Sequence, residues 1–173
     1  MTHHHTQMKA QKQMNDLTGE HALGDTGQIV LGCLFAVIWI ADTFFVKSTT
    51  FLNQHVPLGA RIPAGIILLV VSGYLAKTGM SIVFGEGRET TGVTRKSVFN
   101  VVRHPIYLGE ILLYLGLLML SISLAATMVW FIAIGFLYYI SRYEERLLLS
   151  RFGEQYELYM REVPMWIPRL WKR

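Results

Sequence analysis

The chain has 173 residues, 52% of them apolar and only 16% charged, against about 25% charged in an ordinary soluble domain. Long uncharged runs alternate with short basic stretches, which excludes a water-soluble domain and points to a lipid bilayer as the solvent. The net charge of +4 sits beside the apolar runs, where headgroup contact accounts for it and no nucleic-acid partner is needed.

Residues 1–28 read as a polar N-terminal tail and residues 29–173 as a single membrane domain. The run His3-His4-His5 is a polar tail or a cloning remnant and carries no weight in the fold. The tail lacks the early apolar core of a cleavable signal peptide. Cys33, the single cysteine, precludes an intrachain disulfide, and no metal-ligand spacing occurs. Ile29 to Val46 is the first predicted span, with Asp42 near its end at the interface. Ile62 to Phe84 is the second, with Pro63 in its first turn. Ile106 to Ile140 would reach about 50 Å as one helix, against a hydrocarbon core of about 30 Å. The polar step Ser121-Ile122-Ser123 therefore divides it into a hairpin with arms at about 106–121 and 123–141. The expected fold is all-α, a polytopic bundle of four spans, or five if the second breaks differently.

Arg88, Arg95, Lys96 and Arg103 fill the loop between the second and third spans. Arg142, Arg146, Arg151, Arg161, Arg169, Lys172 and Arg173 fill the tail, and the hairpin turn has no Lys or Arg. The positive-inside rule places loop, tail and N-terminus in the cytoplasm, with Lys47 and Arg61 as the exceptions on the outer side. Glu144 to Arg161 reads as a cytoplasmic amphipathic helix, striped by Leu148, Phe152, Tyr156 and Met160, weakened by Gly153 and ended by Pro164 and Pro168.

Three groups of residues attract chemical interest. Arg103-His104-Pro105 opens the third span with proline at the first helical position, where free N–H groups and Arg103 favour an anion. The alternative is a plain helix start with a snorkelling arginine. Tyr107, Glu110 and Tyr114 share one helix face, and a carboxylate inside a span marks either a functional site or a structural hydrogen bond, with Lys77 as a candidate partner. Arg142-Tyr143-Glu144-Glu145-Arg146 leaves the membrane as a charge cluster, which spacing alone reads as solvated.

The segments Val102 to Gly109 (Val-Arg-His-Pro-Ile-Tyr-Leu-Gly) and Tyr143 to Tyr159, closed by Val163-Pro164 and Pro168, resemble the isoprenylcysteine carboxyl methyltransferase family. They are also similar to its wider relatives, the phospholipid N-methyltransferases and, more distantly, the sterol reductases. The resemblance runs from about Thr91 to Pro168. It implies S-adenosylmethionine bound at the cytoplasmic end of the bundle. The residues implied to bind it are His104, Pro105, Ile106, Tyr107, Glu144 and its neighbour Glu145, with Phe99, Val93 and Thr94 from the preceding loop. The family's carboxylate-binding arginine aligns with Ile140, which leaves Arg142 as its substitute and Arg103 as a second catalytic candidate. Arg142, Glu110 and Tyr114 are the expected substrate contacts.

The implied reaction is methyl transfer to the carboxylate of a prenylated cysteine. Such a carboxylate is already ionised, so the enzyme chiefly positions two reactants. An arginine would hold the carboxylate, and Tyr107 or Phe99 would face the sulfonium. A phospholipid amine as acceptor would need a base, Glu110 or Glu144. The readings from other classes are a sterol-reductase-like oxidoreductase and a non-catalytic membrane scaffold. The expected partners are the cofactor, a lipidic acceptor and the bilayer, with no metal.

Overall fold

A computed structural model describes residues 22–83 and 93–168. The His3-His4-His5 run, Phe84, Arg88, Thr91, Arg169, Lys172 and Arg173 lie outside the described residues. Helix α1 covers Ala22–Ile40 and runs into a π-helical turn at Ala41–Val46. A 3-10 turn at Phe51–Gln54 leads into α2, Leu58–Val83. After a 3-10 turn at Ser97–Asn100 come α3, Pro105–Leu120, and α4, Leu124–Phe152, and then the short α5, Glu154–Glu162.

The polytopic helical bundle expected from the sequence is what forms. Three helices are long and apolar enough to cross a bilayer, and α3 is a shorter apolar fourth. The hairpin turn falls at Ser121-Ile122-Ser123 as the polar step requires, with Ser123 capping α4 by accepting from the Ala126 amide.

Several boundaries move. Helix α1 starts at Ala22, so the last residues of the expected tail are helical. Helix α2 starts at Leu58, which places Pro63 in its second turn, with no amide to offer the carbonyl four residues back. Helix α4 does not stop at the membrane exit. Its 29 residues span about 43 Å, because Glu and Arg are good helix formers and nothing in the charge cluster breaks the pattern. The expected amphipathic helix from Glu144 to Arg161 is thus divided: its first half belongs to α4, and Gly153, at φ 52°, ends that helix before α5 begins.

Helices α2 and α3 pack along their length through facing small residues. Gly65, Ser72 and Gly79 are buried on α2, Gly109 and Gly116 on α3, each set at seven-residue spacing. Ser72 Oγ donates to the Gly109 carbonyl at 2.7 Å. Helix α1 packs on α4 instead. Between α1, α3 and α4, Phe35 stacks on Tyr114 at 4.4 Å between ring centroids, in a core with Leu118, Ala126, Val129 and Ala133.

The hairpin end of the bundle is tied by polar side chains. Asp42, expected at the interface, is buried, and it accepts from Ser123 Oγ at 2.6 Å, from the Thr49 amide at 3.1 Å, and from the Thr49 and Ser48 hydroxyls. Arg61 is buried too and donates to Asn53, which in turn accepts from the Ile122 amide at 2.9 Å. Trp39 Nε1 donates to the Ser121 carbonyl at 3.1 Å.

Candidate active site

The opposite end of the bundle opens into a cavity of about 300 Å³, at the small end of the range for ligand sites. Every helix contributes: Asp25 and Gln28 from α1, Met80 from α2, Tyr107 from α3, Glu144 and Leu148 from α4, and Tyr156 and Tyr159 from α5. The Arg103-His104-Pro105 turn stands in the lining as well. Proline at the first helical position leaves His104 as the N-cap of α3, buried at 7% exposure. The backbone of the turn is held from the C-terminal side. The Arg103 amide donates to the Pro164 carbonyl at 2.9 Å and the His104 amide to the Met165 carbonyl at 3.2 Å.

Arg103 works as an internal tie. Its Nε donates to Glu145 Oε1 at 2.8 Å, and its Nη1 donates to the carbonyls of Met160 at 2.9 Å and Val163 at 2.6 Å. Glu145 is 1% exposed. A buried carboxylate persists only with such a partner. Arg142 approaches the other Glu145 oxygen at 3.2 Å from a half-exposed position.

Between the two glutamates lies His104. Its Nδ1 is 3.5 Å from Glu144 Oε2, and its Nε2 is 3.4 Å from Glu145 Oε1. The Nε2 approach lacks hydrogen-bond geometry, so it is an electrostatic contact rather than a bond. Burial alone would lower the imidazole pKa, but the bond to Glu144, the contact with Glu145 and the charge of both carboxylates raise it above the ordinary histidine value. The imidazole stacks parallel to the Tyr107 ring at 5.6 Å, and the Tyr107 hydroxyl donates to Glu144 Oε1. Burial also pushes the Tyr159 phenol up to about 12, and its hydroxyl donates to the Phe99 carbonyl at 2.6 Å.

The expected cofactor residues divide into two sets. Thr94, Phe99, His104, Pro105, Ile106, Tyr107 and Glu144 line the cavity. Val93 packs instead beneath it, against Tyr156, Tyr159 and Val163, and Glu145 stands behind His104. Of the expected acceptor residues, Arg103 lines the cavity with its guanidinium engaged, and Arg142 lies outside the lining. Ile140, the aligned position, is buried at 2% exposure. Glu110 and Tyr114 lie below the cavity, where Tyr114 Oη donates to Glu110 Oε1 at 2.6 Å, so the partner of Glu110 is Tyr114 and not Lys77.

Asp25, Gln28, Met80, Leu148, Tyr156 and Tyr159 were not among the expected site residues. For the two tyrosines a signal existed, the Phe-Gly-x-x-Tyr-x-x-Tyr spacing from Phe152 to Tyr159. For Asp25 and Gln28 it was slight, an i,i+3 polar pair ahead of an apolar run.

The family model described as phospholipid methyltransferase matches residues 55–155. A methanethiol S-methyltransferase of Crocosphaera subtropica is 31% identical over 152 residues, covering 85% of this chain and 49% of the relative. The cobalt-zinc-cadmium resistance protein CzcN of Cupriavidus metallidurans is 36% identical over 137 residues, 77% of this chain and 63% of the relative. Methanethiol S-methyltransferase 2 of Bradyrhizobium diazoefficiens is 31% identical over 155 residues, 86% and 50%. The chain thus spans between about half and under two thirds of the length of these relatives. No solved structure matches. The family match covers more than half of the chain and includes the Arg103-His104-Pro105 turn and the Glu144-Glu145 pair, and the chain belongs to the phospholipid methyltransferase family of membrane methyltransferases.

Proposed function

We propose that the protein transfers a methyl group from S-adenosylmethionine to a neutral nucleophile that carries a removable proton, a lipid-soluble thiol first. The cavity chemistry suits the donor. Glu144, Asp25 and the aromatic rings of Phe99, Tyr107, Tyr156 and Tyr159 favour a cation, while Met80, Val83 and Leu148 offer apolar wall. When bound, the cofactor supplies a methyl group activated on a sulfonium. The protein's part is to hold and orient it: Tyr107 and His104 fix the Glu144 carboxylate, while Arg103 and Glu145 fix the turn behind His104.

One observation carries the choice of acceptor. Arg103 is the only Lys or Arg in the cavity lining among the described residues, and its guanidinium is already bound to Glu145 and two carbonyls. A carboxylate acceptor such as prenylcysteine would meet Glu144 with no free Lys or Arg in the lining, among the described residues, to hold it. A thiol is neutral at neutral pH and meets no such repulsion. Two of the relatives are named methanethiol S-methyltransferases, which supports this reading. A phospholipid amine is the second reading, favoured by the family description and by the acidic side chains of the cavity.

The test is transfer of radiolabelled methyl from S-adenosylmethionine by purified protein in detergent. The expected product is an alkyl methyl thioether from a short alkyl thiol. Label found only in phosphatidylethanolamine would promote the amine reading, and label only in a prenylcysteine ester would restore the carboxylate. Calorimetry with S-adenosylhomocysteine checks the cofactor independently of the acceptor.

A further inference from the structure

Methyl transfer to a thiol leaves one question open in the cavity: where the proton goes. Alkyl thiols are mostly protonated at neutral pH, so the sulfur must lose a proton as it attacks. Glu144 is badly placed to take it, since Oε1 accepts from Tyr107 and Oε2 faces His104 Nδ1 at 3.5 Å. Glu110 differs. It stands on the same face of α3 as Tyr107, one turn deeper, about 4.5 Å along the helix axis. Its Oε1 accepts from Tyr114, and its Oε2 has no hydrogen bond among the described residues. The carboxylate is half-buried, bonded to Tyr114 at the seam where the Tyr114 ring meets α1. Opposite it α1 presents Gly32, where an added Cβ would come within 3.2 Å of the Tyr114 hydroxyl. Phe35, one turn further along, closes the seam by stacking on Tyr114. A polar carboxylate kept in such a place has a high cost in lipid and is retained for function by default.

We infer that Glu110 is the general base of the reaction. It stands beneath the cavity floor and receives the proton of an acceptor that reaches Tyr107 from the membrane side. The step balances. The acceptor sulfur forms a bond to the methyl carbon, and the bond from that carbon to the sulfonium breaks, leaving neutral S-adenosylhomocysteine. The S–H proton passes to Glu110 Oε2. Tyr114 holds the other oxygen, which leaves Oε2 to take the proton. This inference rests on the thiol reading above, and the experiment separates the two.

Purified wild type and Glu110→Gln are compared with two acceptors, an alkyl thiol and an acidic aryl thiol that is already ionised at neutral pH. Glutamine keeps an oxygen for Tyr114, so the fold is preserved, and calorimetry with S-adenosylhomocysteine should find wild-type affinity. With the alkyl thiol the variant should lose on the order of 10²-fold in kcat. With the aryl thiol it should lose little, and rising pH should narrow the gap for the alkyl thiol. An equal loss with both thiols, a loss of cofactor affinity, or no loss with either overturns the base role. If wild type binds S-adenosylhomocysteine and methylates no thiol, the acceptor class falls and this inference falls with it.

Discussion

At the scale of single residues, charge state follows from what surrounds His104. Burial opposes its protonation, but Glu144 and Glu145 on either side outweigh burial and raise its pKa. The protonated imidazole then separates two carboxylates that would otherwise repel. The sign of the linkage is fixed by that direction. A histidine whose folded pKa exceeds its unfolded value of about 6.5 stabilises the fold fully below that pH. The contribution disappears as pH rises through the higher folded value. His104→Gln should therefore melt several degrees below wild type near pH 6 in detergent without cofactor. The difference should shrink steadily toward pH 9. A melting difference independent of pH would show that His104 acts by packing alone. Neighbouring Arg103 acts through the geometry of its donors. Its fork satisfies a carboxylate and two carbonyls at once, which a lysine's single ammonium group cannot do in the same geometry.

At the scale of elements, α2 and α3 depend on close backbone approach. A Cβ on Gly116 would come within 2.9 Å of Leu69 and 3.2 Å of the Gly65 carbonyl, and the second contact is backbone. Gly73, on the same helix as Gly65, has nothing within 4 Å. Gly116→Val should accordingly lower the melting temperature and the yield of folded protein, because backbone must move apart along the whole contact. Gly73→Ala should be neutral or raise stability, by up to about 1 kcal/mol, since it only removes a helix-interior glycine. If Gly116→Val matched Gly73→Ala in thermal melts, the small-residue contact would not be what joins these helices. These two helices also mark how far the sequence could be read. The Ser121-Ile122-Ser123 break and the proline start of α3 were legible because each is a local signal. Apolar length alone located the spans. The registry of Gly65, Ser72 and Gly79 against Gly109 and Gly116 was not legible, because it concerns two helices at once. The same holds for Arg103 and Glu145, partners that are 42 residues apart. Helix α4 was read as ending where its charges begin, yet charged residues end a membrane span without ending a helix. Asp25 and Gln28 were assigned to a polar tail, because composition cannot tell a tail from a helix that projects beyond the bilayer.

At the scale of the molecule, the two ends of the bundle are built differently. The cavity end carries exposed Arg95, Lys96, Arg142, Arg146, Arg151 and Arg161. The hairpin end carries Lys47 and Arg61, and Arg61 is buried against Asn53 rather than presented to headgroups. This removes half of the contrary charge that the sequence had set against the positive-inside assignment. The helices alternate in direction: Asp25 near the start of α1, Met80 near the end of α2, Tyr107 in the first turn of α3 and Glu144 late in α4 all border the cavity. The cavity end is therefore expected in the cytoplasm and the Asp42 network on the far side. Cysteine labelling in intact cells checks this in a Cys33→Ala background. Gln54 is exposed at the hairpin end and Glu154 at the cavity end, so each can be replaced by cysteine without disturbing a buried contact. An impermeant maleimide should label Gln54→Cys in intact cells, and Glu154→Cys only after the membrane is opened. The reverse pattern would place the cavity outside. The hairpin end would then carry the cytoplasmic contacts, against the charge distribution of the chain.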